Sequence, residues 1–171
     1  MRSPAPQESV VVGGTGMLRG VVEHLRDAGS RTVVVSRRAG RTVEGATAVA
    51  ADWTDPQTLA ERLAGRHVDV AVLWVHHPYR QGVVEALEPS LADGAVVVHV
   101  WGSSAARPRA RTLVSSRPDL SVRHVVLGFV REDGASRWLS DDEIVAGVVR
   151  ALDDPAPEQV VGVVEPWDAR P

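Results

Sequence analysis

The sequence predicts an α/β protein: a three-layer, doubly wound parallel sheet with helices on both faces. Three observations predict it. Short valine-rich runs at 10–12, 31–35, 68–75 and 95–101 alternate with longer helix-like stretches, which is the pattern of successive βα units. The first run passes directly into Gly13-Gly14-Thr15-Gly16 and then into a helix-forming stretch, a junction that aims backbone N–H groups at an anion. Finally, 171 residues with 44% hydrophobic content suffice for a single core, and no repeat or second domain interrupts them.

Each element follows from local signals. Strand 10–12 is continuously apolar, and the helix after the glycine turn runs over about 17–28, with Gly29 placed to end it. Strand 31–35 leads into the polar segment 36–45, and a weaker strand at 46–50 ends before Asp52. Thr54, Asp55 and Pro56 open a helix to about residue 64, the proline suiting its first turn. The run 68–75 is the most continuous strand, followed by His76-His77-Pro78-Tyr79 and a helix over 80–91. Strand 95–101 ends at Gly102-Ser103-Ser104, and the arginine-rich stretch 105–118 has room for a short helix. Strand 122–130 and a loop at 131–139 precede a helix to about 152. Ser140 and Glu143 start that helix as a capping box, with Asp141 and Asp142 in its first turn. Residues 160–164 form a last strand. The expected organisation is a flexible tail at 1–9, one NAD(P)-binding Rossmann-like domain at 10–167 and a C-terminal tail at 168–171.

Composition removes several function classes. All 19 basic residues are arginine and there is no cysteine. Schiff-base chemistry, a P-loop lysine, a thiol nucleophile, a disulfide and a thiolate metal site are therefore excluded. A net charge of -3 gives no reason to expect nucleic acid or an anionic membrane as partner. No apolar run has the length of a membrane span. The expectation is a soluble cytoplasmic protein that takes a small-molecule substrate and binds no metal, with homo-oligomerisation left open.

The glycine turn carries the chemistry. One glycine permits the tight turn, one lets the backbone approach a pyrophosphate, and a later one, Gly20, permits close helix packing. Gly13, Gly14, Thr15, Gly16, Met17 and Leu18 are the expected phosphate contacts. About 20 positions on, an acidic residue would bind the ribose hydroxyls of NAD. This chain instead has Ser36-Arg37-Arg38, with Arg41 beyond. Guanidinium groups fork onto phosphate, so NADP is favoured over NAD, with Ser36, Arg37 and Arg38 as contacts.

On these residues the chain resembles the short-chain dehydrogenase/reductase superfamily, in its atypical compact bacterial form. The likeness covers roughly residues 10–130, rests on Gly13-Gly14-Thr15-Gly16, and extends to the late segments 127–130 and 136–144. It implies that Asp52 and Trp53 meet the adenine, that His76 passes the cofactor, and that Ser103 or Ser104 matches the serine at the end of the fifth strand. The family's tyrosine-x-x-x-lysine pair is missing: Tyr79 is the sole tyrosine, Arg80 follows it, and lysine is absent. The region between the fifth and sixth strands is also shorter than in full-length members.

In an open parallel sheet the site lies beyond the C-terminal ends of the strands. There Tyr79 is the candidate proton donor to a carbonyl, His76 or His77 the relay, and Ser103 the group that holds a developing oxyanion. Each has a plainer alternative, since histidines finish strands and serines populate turns. His67, His99 and His124 fall in or beside strands, where packing suffices for them. The Arg107–Arg111 stretch reads either as a contact to phosphate or as an exposed loop. Three functions stay open: an NADP-dependent oxidoreductase acting on a small carbonyl or related substrate, a non-catalytic NADP-binding or redox-sensing module, and a non-redox elimination or cyclisation enzyme using the same pocket.

Overall fold

A computed structural model describes residues 5–38, 40–103 and 115–171. In chain order the elements are β1 (Glu8–Val12), α1 (Arg19–Asp27), β2 (Arg31–Ser36), β3 (Thr47–Ala50), α2 (Pro56–Leu63), β4 (Val68–Leu73), α3 (Arg80–Leu87), β5 (Leu91–Trp101), β6 (Ser121–Leu127), β7 (Phe129–Glu132), β8 (Ala135–Trp138), α4 (Asp141–Asp153) and β9 (Glu158–Val161). Seven strands form one parallel sheet in the order β3-β2-β1-β4-β5-β6-β9, and β7 and β8 form a separate antiparallel hairpin. The strand order reverses between β1 and β4, which opens a crevice at their C-terminal ends.

Side chains alternate across the sheet and divide the interior in two. Val10, Val12, Val33, Val35 and Leu73 pack with Leu59 and Leu63 of α2 and Val83 and Leu87 of α3. Val11, Val34, Val72, Val98 and Val125 pack on the other face with Val21, Val22 and Leu25 of α1 and Ile144 and Val148 of α4. This is the expected three-layer, doubly wound arrangement.

The helix ends are held by local chemistry. At the end of α1 the Ser30 N–H donates to the Leu25 carbonyl at 3.1 Å and the Gly29 N–H to the Arg26 carbonyl at 2.9 Å, a Schellman closure. Asp55 caps α2, accepting from the Thr58 N–H at 3.2 Å and the Thr58 hydroxyl at 2.7 Å. In α4 both halves of the capping box form: the Glu143 N–H donates to Ser140 Oγ at 3.2 Å, and the Ser140 N–H donates to Glu143 Oε2 at 2.8 Å.

Several expected boundaries move. Glu8 and Ser9, expected in the N-terminal tail, are buried in β1, where Glu8 pairs with Arg66 at 2.8 Å. At the other end, Trp167–Ala169 forms a 3-10 turn spanning the expected start of the C-terminal tail. The helix expected over 80–91 stops at Leu87 and passes through the 3-10 turn Glu88–Ser90, because Pro89 lacks an N–H to continue it. β5 then starts four residues early, at Leu91. The strand expected over 122–130 breaks at Gly128, whose bare Cα lies against the Val163 carbonyl where a Cβ would collide. The expected loop at 131–139 is instead the β7–β8 hairpin, turned by Asp133 (φ 49°) and Gly134 (φ 81°). Two positive φ values in a two-residue turn match the twist of paired strands. β9 occupies Glu158–Val161, slightly before the expected 160–164.

Candidate functional site

The glycine turn sits at the crevice between β1 and β4, and its three glycines meet different demands. Gly13 has φ +83°, and a Cβ there would lie 2.9 Å from the Trp74 carbonyl oxygen. Gly14 faces the core: a Cβ would lie 2.7 Å from Val11 Cγ1 and 2.9 Å from Val22 Cγ2. At Gly16 no described residue stands within 4 Å of where a Cβ would be. The Gly13 N–H donates to the Val35 carbonyl and the Arg19 N–H to the Gly16 carbonyl. Among the described residues, the N–H groups of Thr15, Gly16, Met17 and Leu18 make no hydrogen bond of ordinary geometry. Open donors around a bare Cα form a cradle for an anion.

An open cleft of about 330 Å3 runs from this cradle to the end of β2. Gly13, Thr15, Gly16 and Met17 line one side, and Ser36, Arg37, Arg38 and Arg41 line the far end. Arg37 and Arg38 are exposed, and the Ser36 hydroxyl donates to the Arg38 carbonyl at 2.9 Å, shaping the turn that presents them. No carboxylate is among the described lining residues. Trp53, Trp74 and His76 complete the walls. The His76 ring lies 5.0 Å from that of Trp74 and 6.0 Å from that of Trp53.

The other expected residues lie elsewhere. The Leu18 side chain is fully buried, so it belongs to the core and only its backbone faces the turn. Gly14 likewise contributes backbone and packing. Asp52 does not line the cleft: its Oδ1 accepts from the Thr54 N–H at 2.9 Å and the Thr54 hydroxyl at 2.8 Å. Those bonds, with a smaller contribution from the nearby Arg37 charge, hold its carboxyl below the usual range. Tyr79 is 40% exposed, with its ring 5.4 Å from Trp53, at the N-cap of α3. Ser103 lines a different cavity of about 210 Å3, with Gly102, Leu127, Gly128 and Trp138. His76, Tyr79 and Ser103 are therefore not gathered in one cavity. Ser104 and the Arg107–Arg111 stretch lie outside the described residues.

Two features escape the sequence reading. Trp74 is a wall of the cleft and also approaches Gly102, whose Cβ would lie 3.8 Å from it. Its signal was its place at the end of an apolar run, where a strand leaves the sheet. Arg80 is buried at the start of α3, its guanidinium 3.8 Å over the Trp101 ring and its Nη2 donating to the Val100 carbonyl at 2.9 Å. Burial lowers its pKa to about 10. No pattern in the sequence distinguishes this arginine from the surface ones.

No known family model and no curated protein sequence matches the chain. Solved structures do match it in shape. A Serratia marcescens short-chain dehydrogenase/reductase double mutant superposes with a TM-score of 0.69 at 16% identity, covering 94% of this chain and 98% of the other. The Pseudomonas aeruginosa RhlG/NADP active-site complex gives 0.68 at 14% identity, covering 94% and 96%. BdcA in complex with NADPH gives 0.65 at 12% identity, covering 91% and 93%. The chain has the Rossmann-like fold of the short-chain dehydrogenases and reductases.

Proposed function

We propose that this chain is a member of the short-chain dehydrogenase/reductase superfamily that binds NADP and reduces or oxidises a small carbonyl or related substrate. One observation carries the reading. A single cleft joins a glycine cradle with open backbone donors to three arginines, Arg37, Arg38 and Arg41, and no carboxylate is among its described lining residues. The cradle suits a pyrophosphate and the arginines a further phosphate on the ribose, which a carboxylate would repel. Two of the structures sharing the fold are complexes with NADP or NADPH, which supports the same choice. Bound there, the cofactor would supply hydride chemistry.

The protein's part is to bind and orient. Thr15 to Leu18 offer N–H groups to the phosphates, Ser36 and the arginines hold the ribose end, and Trp53 and Trp74 provide flat apolar walls. His76 lines the cleft and is the candidate to exchange a proton with the substrate, with Tyr79 beside it and Ser103 across Trp74 as further candidates. A second reading is a non-catalytic NADP-binding module. The placement of His76 and Ser103 in different cavities, with Tyr79 lining neither, favours it, because a proton donor must come within hydrogen-bond reach of its acceptor.

The test is titration of the whole chain with NADPH and NADH, then a carbonyl panel followed by NADPH absorbance. NADPH is expected to bind more tightly than NADH. Replacing Arg37→Ala is expected to weaken NADPH by roughly tenfold to a hundredfold, since charge-assisted bonds contribute ~1.5–3 kcal/mol, and to leave NADH nearly unchanged. Equal binding of the two cofactors removes the NADP assignment. Binding without turnover of any carbonyl favours the module.

A further inference from the structure

The strands β5 and β6 treat their two faces differently. Toward α4 they present Val98, Val100, Val125 and Leu127, all buried. Toward α3 the alternate positions hold Val97, His99 and Trp101 on β5 and Val122 and His124 on β6. On that face the packing leaves a cavity of about 250 Å3, bounded by Leu73, Leu87, Val97, Val122, His99 and His124. Among the described residues it shares no lining residue with the cleft at the glycine turn. Protein interiors are packed as densely as organic crystals, so a hole of this size between well-formed elements is unusual. An apolar cavity of about 150 Å3 already admits benzene.

The wall selects against charge. The His99 and His124 rings stack at 5.5 Å with an interplanar angle of 22°. His124 Nδ1 accepts from Trp101 Nε1 at 3.0 Å. Ser115, also in the lining, donates to Glu88 Oε1 at 2.6 Å. His99 is 1% exposed, and burial, with Arg80 and His124 adding to it, holds its pKa well below 6.5, so it is neutral. Aliphatic side chains make up most of the described lining that an occupant would touch.

We propose that this cavity is a second small-molecule site that takes an uncharged, apolar, single-ring compound. The assignment does not depend on NADP binding. Among its described lining residues Ser115, Leu120, Val122 and His124 are half-buried, while Leu73, Leu87 and Val97 are buried.

Toluene is the probe, titrated into the full chain and followed by methyl-resolved NMR, with benzoate and benzylammonium as charged comparators. Saturable shifts are expected at the methyl groups of Leu73, Leu87, Val97 and Val122, with Met17 of the cofactor cleft unmoved and neither charged compound reproducing them. The variant Val122→Trp puts a larger side chain at the cavity wall and is expected to weaken toluene by about tenfold or more while binding NADPH like the parent. NADPH is titrated in the same samples, so the two sites succeed or fail separately. The proposal is overturned by any of four results: no saturable shift up to the solubility of toluene, shifts centred on the cleft, equal binding of benzoate, or sedimentation showing that a second copy covers these methyl groups in the free protein.

Discussion

Gly14 and Gly16 stand two positions apart in one turn and face opposite demands. A Cβ at Gly14 would press on Val11 and Val22 at 2.7 and 2.9 Å, whereas one at Gly16 would meet no described residue within 4 Å. Gly14→Ala is therefore expected to cost about 1–3 kcal/mol through overpacking, measured by urea unfolding. Gly16→Ala is expected to keep the parent's stability and lose NADPH affinity by roughly tenfold or more, because the new methyl occupies the cradle. If Gly16→Ala binds NADPH like the parent, the cradle is not where the phosphates sit. His99 gives a second residue-scale expectation. Its folded pKa is depressed by burial first, then by Arg80 and His124, so the unfolded chain takes up a proton that the folded chain refuses. Stability is complete above the unfolded value of about 6.5 and falls as pH drops below it. His99→Leu is expected to flatten that fall, read as urea midpoints at about pH 7.5 and about pH 5.5. Among the described residues its Nδ1 has no hydrogen-bond partner to lose. Parallel losses in the two proteins would mean that His99 charges without unfolding.

At the scale of elements, α4 is the helix whose start was most legible. Ser140 and Glu143 are neighbours on one turn, and their mutual bonds need no distant partner. What the spacing did not disclose is Arg137, which donates to both Glu143 oxygens at 3.0 and 2.9 Å and so ties the β7–β8 hairpin to the helix. Arg137 and the Ser140 N–H lower the Glu143 pKa to about 2. The resulting stability is present above about pH 4.5 and is lost as pH falls toward about 2. Glu143→Gln should make acid unfolding shallower across that window, and Ser140→Ala should cost ~1 kcal/mol at neutral pH; both are read by circular dichroism. An unchanged acid profile would detach Glu143 from α4 stability. The hairpin itself was missed although Asp133-Gly134 is a strong turn signal. Its strands are four residues long and carry Arg131 and Glu132, so alternation gave no support.

At the scale of the molecule, the sheet order β3-β2-β1-β4-β5-β6-β9 brings the ends of β1, β2 and β4 together, and this is why Gly16, Arg37 and His76 share a cleft despite their separation in sequence. The same geometry separates Ser103, at the end of β5, into a neighbouring cavity. Among the described residues no helix is long and apolar enough to cross a membrane.

The alternation of valine runs with amphipathic stretches determined the three-layer α/β class, because periodicity and strand hydrophobicity are local properties of the chain. The glycine turn and the Ser36-Arg37-Arg38 segment were legible for the same reason: each is a contiguous motif whose chemistry follows from adjacent residues. Only the tertiary structure decided that Leu18 is core, that Asp52 is bonded into its own turn, and that Trp74 and Arg41 join the cleft. It alone set a buried Arg80 over Trp101 and left a cavity beneath α3. These outcomes depend on which strand lies beside which and on where packing runs out, quantities that arise between elements and leave no periodic trace along the chain.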